Sequence, residues 1–309
     1  MAVGYASGKV ILFGEHAVVY GQPAIAVPVT QVQAQAEVKD AEGEQGITIV
    51  ARDLGQTYKL SEAPPDDALR TIVISTLECI KAGLEQDLTI TVSSTIPVAR
   101  GLGSGAAVST AIVRALLEHF DKWLDSRAIS DLVFETEKIH HGTPSGIDNT
   151  VIAFEKPVYF VKGGRMEIFW VHRPFLLVIA DTGVQSPTKV AVGDVRRAWE
   201  REPMSYEGLF DDIGTIAKMG RRAIEQGDIE AMGRLMNENQ RLLRLLKVSS
   251  PELEGLIEAA RLGGALGAKL SGAGRGGNMI ALVTQETCSR VSMMLRLAGA
   301  KDVIVTEVS

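Results

Sequence analysis

The chain has 309 residues, 46% hydrophobic and 23% charged, and a net charge of −6. That supplies apolar material for two domains of roughly 150 residues each. The acidic balance argues against a nucleic-acid partner, which usually needs a basic face, and no uncharged apolar run reaches the ~20 residues of a membrane span. Met1 to Tyr5 shows no secretory pattern, so the expected compartment is the cytoplasm. Cys79 and Cys288 lie outside any metal-ligand spacing and are expected to be buried thiols.

In chain order, Lys9–Phe13 reads as a short strand closed by Gly14, and Ala24–Val29 as a second strand after the turn Gly21-Gln22-Pro23. Val32–Val38 alternates with the period of a half-buried strand, 40–45 reads as a loop, and Ile47–Val50 as another strand. From Asp66 to Leu84 the spacing of Leu69, Ile72, Val73, Thr76, Leu77 and Ile80 predicts a helix. Leu88–Ile96 alternates as a strand that Pro97 ends; helices follow over Ala106–Phe120 and Ser126–His141. The second of these runs into Gly142-Thr143-Pro144-Ser145-Gly146, a breaker-rich turn. His140 and His141 sit at the helix C-terminus, where the dipole favours them.

Beyond lie strands near 158–161, 166–171 and 175–181 and helices near 188–199, 208–226, 228–246 and 251–262. The tail reads strand (267–271), strand (278–284), helix (286–298) and strand (302–307). A strand-rich first half and a helix-rich second half indicate an α+β protein, divided here into 1–172 and 173–309.

Gly101-Leu102-Gly103-Ser104-Gly105-Ala106-Ala107 stands between a strand and a helix. Unpaired N–H groups and a partial positive charge draw phosphate to a helix start, and glycines let the backbone approach it. The loop is not a Walker A sequence, which ends in Gly-Lys-Ser/Thr, nor a G-x-G-x-x-G dinucleotide fingerprint. The other reading of the same residues is a glycine turn entering a tightly packed helix.

Four segments, in order, carry a resemblance. Gly8-Lys9-Val10-Ile11-Leu12-Phe13-Gly14-Glu15-His16-Ala17-Val18-Val19-Tyr20-Gly21 resembles the first motif of the mevalonate kinases. Pro97-x-x-x-Gly101-Leu102-Gly103-Ser104-x-Ala106-Ala107 resembles the phosphate loop of the GHMP kinases. His141 to Asn149 is similar to the mevalonate kinase segment with the catalytic aspartate, and Lys269 to Gly277 resembles the third GHMP motif. The four bracket residues 8 to 277.

This resemblance implies the GHMP kinase fold: an N-terminal ribosomal-protein-S5-like α+β domain and a C-terminal ferredoxin-like α/β sandwich domain, with the active site in the cleft between them. It implies transfer of the γ-phosphate of ATP to the 5-hydroxyl of mevalonate with Mg2+, small-molecule substrates only, and often a homodimer. Asp148 would be the catalytic base and Lys9 the cation beside it. Pro97, Arg100, Gly101, Leu102, Gly103, Ser104, Gly105, Ala106 and Ala107 would hold ATP. Glu137, eleven residues before Asp148, would bind the metal with Ser104; Glu135 is the alternative register. Glu15, His16, Thr188 and Ala273 would line the substrate pocket, with His16 read as a donor to the mevalonate carboxylate or hydroxyl. Without the resemblance, Asp148 reads as a cap of the segment that follows it.

The sequence departs from the family at Gly105, where many members have a magnesium-binding serine, and at Arg275, which replaces a glycine. Arg275 would either reach a phosphate or face solvent. Rival readings are a sister GHMP kinase acting on phosphomevalonate, homoserine or a sugar, and a non-catalytic nucleotide binder on the same fold.

Overall fold

A computed structural model gives the fold and describes residues 1–43, 46–97, 101–141, 145–164, 166–186 and 188–309, the side chains of residues 140 and 141 excepted. The elements begin with β1 (Ala2–Phe13), β2 (Pro23–Asp40), β3 (Thr48–Ala51), β4 (Gln56–Lys59), α1 (Ala68–Cys79), β5 (Leu88–Ser94), α2 (Ser104–His119), α3 (Ser126–His141) and α4 (Ile147–Phe154). There follow β6 (Val158–Val161), β7 (Glu167–Ile168), β8 (Phe175–Asp181), α5 (Thr188–Arg201), α6 (Pro203–Gln226) and α7 (Ile229–Leu245). The chain closes with α8 (Pro251–Leu262), β9 (Gly267–Ser271), β10 (Asn278–Val283), α9 (Gln285–Leu297) and β11 (Asp302–Val308). The α+β class expected from the sequence holds.

The chain forms two compact units that interleave in sequence. The first comprises Met1–Gly8, Val32–Pro97 and Gly103–Glu155; the second comprises Lys9–Gln31, Val98–Leu102 and Lys156–Ser309.

In the first unit the strand order is β4-β3-β5-β2, with β3 parallel to β5 and the other pairs antiparallel. Helix α2 packs on β5, and α1, α3 and α4 pack against α2 through their apolar residues. Ile49, Ile72, Leu77, Ile90, Ile112 and Leu116 are fully buried, each contributing ~1.5–3 kcal/mol relative to exposure. Asp67 caps α1, its carboxylate accepting from the Arg70 N–H at 2.7 Å. That helix stops five residues before the expected Leu84, because Lys81 takes left-handed backbone at φ 57°.

The second unit is built on a four-stranded antiparallel sheet, order β11-β8-β10-β9. Helices α7, α8 and α9 cover it through Met236, Leu243, Ile257, Val291 and Leu295, all at most 0% exposed. Side-chain caps start three of its helices: Asp228 for α7, Ser250 for α8 and Thr284, in a capping box, for α9. Strand β9 is held on both flanks. It pairs with β10, and its Ala268 and Leu270 N–H groups donate to the side chains of Asn237 (3.1 Å) and Gln240 (2.9 Å) on α7.

Several sequence expectations need correction. The runs 24–29 and 32–38 are one 18-residue strand, because Thr30 and Gln31, read as a gap, are exposed but extended. The strand expected at 166–171 shrinks to the two residues of β7. Helix α4 was not foreseen at all. Cys79 is exposed and Cys288 half-buried, so neither is a buried thiol.

Candidate active site

The residues singled out from sequence fall in both units, and each set has its own construction. In the first unit, Gly103 (φ 74°) is the N-cap of α2 and Ser104 its first residue. Among the described residues no side chain caps this end, the condition under which the first N–H groups of a helix can meet an anion. Only a residue without Cβ takes that left-handed cap cheaply. Gly105 is exposed, and Ala106 and Ala107 are buried, packing the helix start closely. Pro97 is half-buried; Arg100 lies outside the described residues.

Glu137 is carried by α3 and is 4% exposed. Glu135 points outward and pairs with Lys138 at 2.7 Å, so the helix register favours Glu137 over Glu135 as the inward carboxylate. Asp148 stands in the first turn of α4, where the dipole favours a negative charge. The N-cap of that helix is Gly146, so Asp148 is not the capping residue. Helix α4 is pinned to α3: the Asn149 amide donates to Ser130 O (3.0 Å) and Oγ (2.9 Å), and Ser130 and Thr150 hydroxyls meet at 3.1 Å. The two carboxylates therefore sit on two locked helices. The segment 142–144 and the side chains of His140 and His141 lie outside what is described.

In the second unit the first and third motifs fold as one assembly. Ser271 Oγ donates to Ile11 O (2.9 Å) and accepts from Ile11 N (3.1 Å). Lys269 pairs with Glu15, and both are buried. His16 Nε2 donates to Ala273 O at 2.9 Å. Lys9, 5% exposed, opens this stretch and donates its backbone N–H to Leu102 O at 3.0 Å. Gly101, next to Leu102, has φ 80° and is exposed.

The His16 contact decides its chemistry. A carbonyl oxygen only accepts, so Nε2 carries the proton and Nδ1 of the neutral ring is an acceptor. Burial, reinforced by the positive charge of Arg275, lowers the His16 pKa to about 4, against the partial support of Ala273 O. At neutral pH the ring is uncharged. The Nε2 proton, expected from sequence to be a donor toward substrate, is engaged by Ala273 O in this structure. The residue also holds φ 61°, ψ −50°, uncommon for a non-glycine and worth ~1–3 kcal/mol of strain.

The third glycine loop is braced from two sides. Arg275 N donates to Val248 O (2.7 Å) and Gly277 N to Val184 O (2.8 Å). Thr182 Oγ1 donates to Gly277 O (2.9 Å), and Ser186 Oγ to Gly274 O (2.5 Å). Gly274 has φ 75°, and a Cβ there would come within 2.1 Å of Val248 O. Arg275, left between phosphate and solvent by the sequence, is partly exposed and pairs with Asp194 on α5. That contact holds the Asp194 carboxyl below its ordinary value. Thr188 opens α5 and is exposed; Ala273 is half-buried; Pro187 lies outside the described residues.

Two partners were missed from sequence, Lys269 for Glu15 and Asp194 for Arg275. The first had a visible signal: a lysine inside the apolar run 267–271 needs a counter-charge if that run is a core strand.

The family described as "GHMP kinases N terminal domain" matches residues 71–156, and "GHMP kinases C terminal" matches 221–296. A mevalonate kinase of Thermococcus sibiricus is 35% identical over 98% of this chain and 95% of its own length. One from Pyrococcus furiosus is 36% identical over 99% and 96%. The crystal structure of L. major mevalonate kinase in complex with R-mevalonate superposes with a TM-score of 0.86 and 28% identity, covering 100% of this chain and 96% of that one. The chain belongs to the GHMP kinases and, within them, to the mevalonate kinase family.

Proposed function

We propose that the chain transfers the γ-phosphate of ATP to the 5-hydroxyl of mevalonate. The observation that carries this reading is the union of the first and third motifs in the second unit, where Glu15, His16 and Ala273 are held in one hydrogen-bonded assembly. It is supported by near full-length similarity to proteins named as mevalonate kinases and to a structure whose title records bound R-mevalonate.

Phosphoryl transfer needs positioning and charge stabilisation more than covalent chemistry. In this reading Asp148 accepts the proton of the attacking hydroxyl. The uncapped start of α2 receives phosphate oxygens, with Pro97 and 100–107 forming the ATP loop. Lys9 supplies positive charge to the transferring group. Glu15, His16, Thr188 and Ala273 bind mevalonate; His16 does so through an acceptor at Nδ1, which suits a substrate hydroxyl rather than its carboxylate.

Magnesium fits the donor set. Among the described residues no three His, Cys, Asp or Glu side chains cluster, but this ion takes most of its ligands from phosphates and water. Glu137, a buried carboxylate, and Ser104, a hydroxyl at the helix start, would hold it. When bound, it neutralises phosphate charge. Cytoplasmic location and a homodimer belong to the same reading; among the described residues no helix is long and apolar enough to cross a membrane. A division at 172/173 into the two family domains belongs to the same reading: the sheet holding β1 to β7 lies before it and the four-stranded sheet after it, while the compact units interleave across it.

The test is ADP release from magnesium-ATP with mevalonate, phosphomevalonate, homoserine or galactose. Mevalonate-dependent release is expected, falling by about 10²–10⁴-fold in Asp148→Asn. Release with another member of the panel would discard the mevalonate assignment.

A further inference from the structure

Strand β9 places a lysine where strand cores rarely have one. Lys269 is 0% exposed and lies between Ala268 and Leu270, which are equally buried. Taking an ammonium out of water costs several kcal/mol unless partners offset it. Its Nζ donates to Glu15 Oε1 and, at 2.6 Å, to Leu270 O. The second carboxylate oxygen, Glu15 Oε2, is enclosed and accepts no hydrogen bond among the described residues. On the next residue, His16 Nδ1 is in the same condition.

The two sides of the Lys269–Glu15 contact differ in rigidity. Lys269 comes from a strand held by β10 on one flank and by Asn237 and Gln240 on the other. Glu15 comes from an irregular turn that includes the strained backbone of His16. A well-packed apolar pair would fill such a volume at lower desolvation cost, so stability alone does not account for the charges. The enclosed acceptor oxygen does: Lys269 engages one oxygen and leaves its twin in a fixed place.

We propose that Lys269 is a positioning residue of the phosphoryl-transfer reaction, fixing through its contact with Glu15 the carboxylate oxygen that receives a hydroxyl donor of the substrate. The proposal rests on the reading of Glu15 as a mevalonate-binding residue. It predicts an effect confined to mevalonate, because Lys269 reaches the substrate only through Glu15.

A pH signature follows. Burial raises the Glu15 pKa, and the charges that oppose it are Lys269 from β9 and, more weakly, Lys9 from β1. The neighbouring His16 is neutral near pH 7. Without Lys269, Glu15 takes up its proton at a higher pH and loses an acceptor oxygen.

The experiment compares Glu15→Gln, Lys269→Met and the double variant by KM for mevalonate, KM for ATP and the pH profile of kcat/KM. Each single change is expected to raise the mevalonate KM about tenfold or more with ATP KM little altered. In Lys269→Met the acid limb of the profile moves toward alkaline pH, so activity recovers as pH rises. The double variant is no worse than Glu15→Gln alone, because the second carboxylate oxygen that Lys269 would fix has already been replaced by an NH2 donor. An unmoved pH profile, or a Lys269→Met effect that adds in full to that of Glu15→Gln, would overturn the proposal and reduce Lys269 to packing. A mevalonate KM unchanged in Glu15→Gln would instead remove the role of Glu15 itself. Should Lys269→Met fail to fold, the double variant leaves no lone buried charge and carries the comparison: a mevalonate KM matching Glu15→Gln supports the proposal, and one tenfold higher overturns it.

Discussion

Just before α2, Gly101 turns the chain with nothing among the described residues within 4 Å of where a Cβ would stand, whereas a Cβ on Gly274 would fall 2.1 Å from Val248 O. Both glycines take left-handed backbone, at φ 80° and 75°. Around Gly274 the neighbouring N–H, C=O and side-chain groups are bonded to Val248, Val184, Thr182 and Ser186. At the start of α2 no side chain caps the helix. The same residue type thus serves two purposes. One loop is open around its glycine among the described residues, as the proposed phosphate-binding role requires, and the other is filled and braced around Gly274.

The largest separation between the two loops should come from one substitution made in each. Gly274→Ala meets both the left-handed penalty and a backbone carbonyl, and should destabilise the protein by about 3 kcal/mol or more, read by denaturant unfolding. Gly101→Ala meets the penalty alone, about 1–2 kcal/mol, with the ATP KM rising and the mevalonate KM unmoved. Equal losses of stability at the two sites would show that the loop before α2 is braced as well.

The second probe is acid. His16 is kept neutral in the folded chain down to about pH 4, while the unfolded chain protonates it near 6.5. Stability from this site is therefore complete above pH 6.5 and declines as pH falls toward 4, by about 3 kcal/mol in all. Unfolding curves of the parent and of His16→Gln, taken between pH 7 and 4, should converge as the pH drops. Parallel curves would mean that the braced loop does not hold the ring neutral.

A smaller effect is expected at the open loop. Gly105→Ser adds the hydroxyl that the family resemblance led one to expect there and should lower the magnesium concentration for half-maximal rate by a few-fold, roughly 1 kcal/mol. An unchanged magnesium titration would separate Gly105 from the metal.

Much of this contrast was legible in the sequence. The breaks around Gly101 and Gly272 announced both loops, and strong apolar periodicity placed α2, α3, α7 and α8 within a few residues. Strand β9 was read with its observed bounds. Helix α4 escaped because Pro144 and Gly146 dominate its approach and it is only eight residues long, so a pattern of breakers hid the turn of helix that holds Asp148. The partners of Glu15 and Arg275 escaped for another reason. They lie 254 and 81 residues away, and no local pattern encodes which distant side chain answers a buried charge. The engagement of the His16 Nε2 proton was not legible because the oxygen that takes it is a backbone atom of Ala273, which sequence does not show.

The side chains of Asn237 and Gln240 have a consequence for the behaviour of the chain at high concentration. Strand β9 ends its sheet, and a terminal strand ordinarily offers a ladder of open amides on which a foreign strand can be templated. Here two carboxamide oxygens from α7 already occupy the Ala268 and Leu270 amides. The helix imitates a fifth strand for two rungs, so this side of the sheet is closed to amyloid-like extension without any loss of hydrogen bonding.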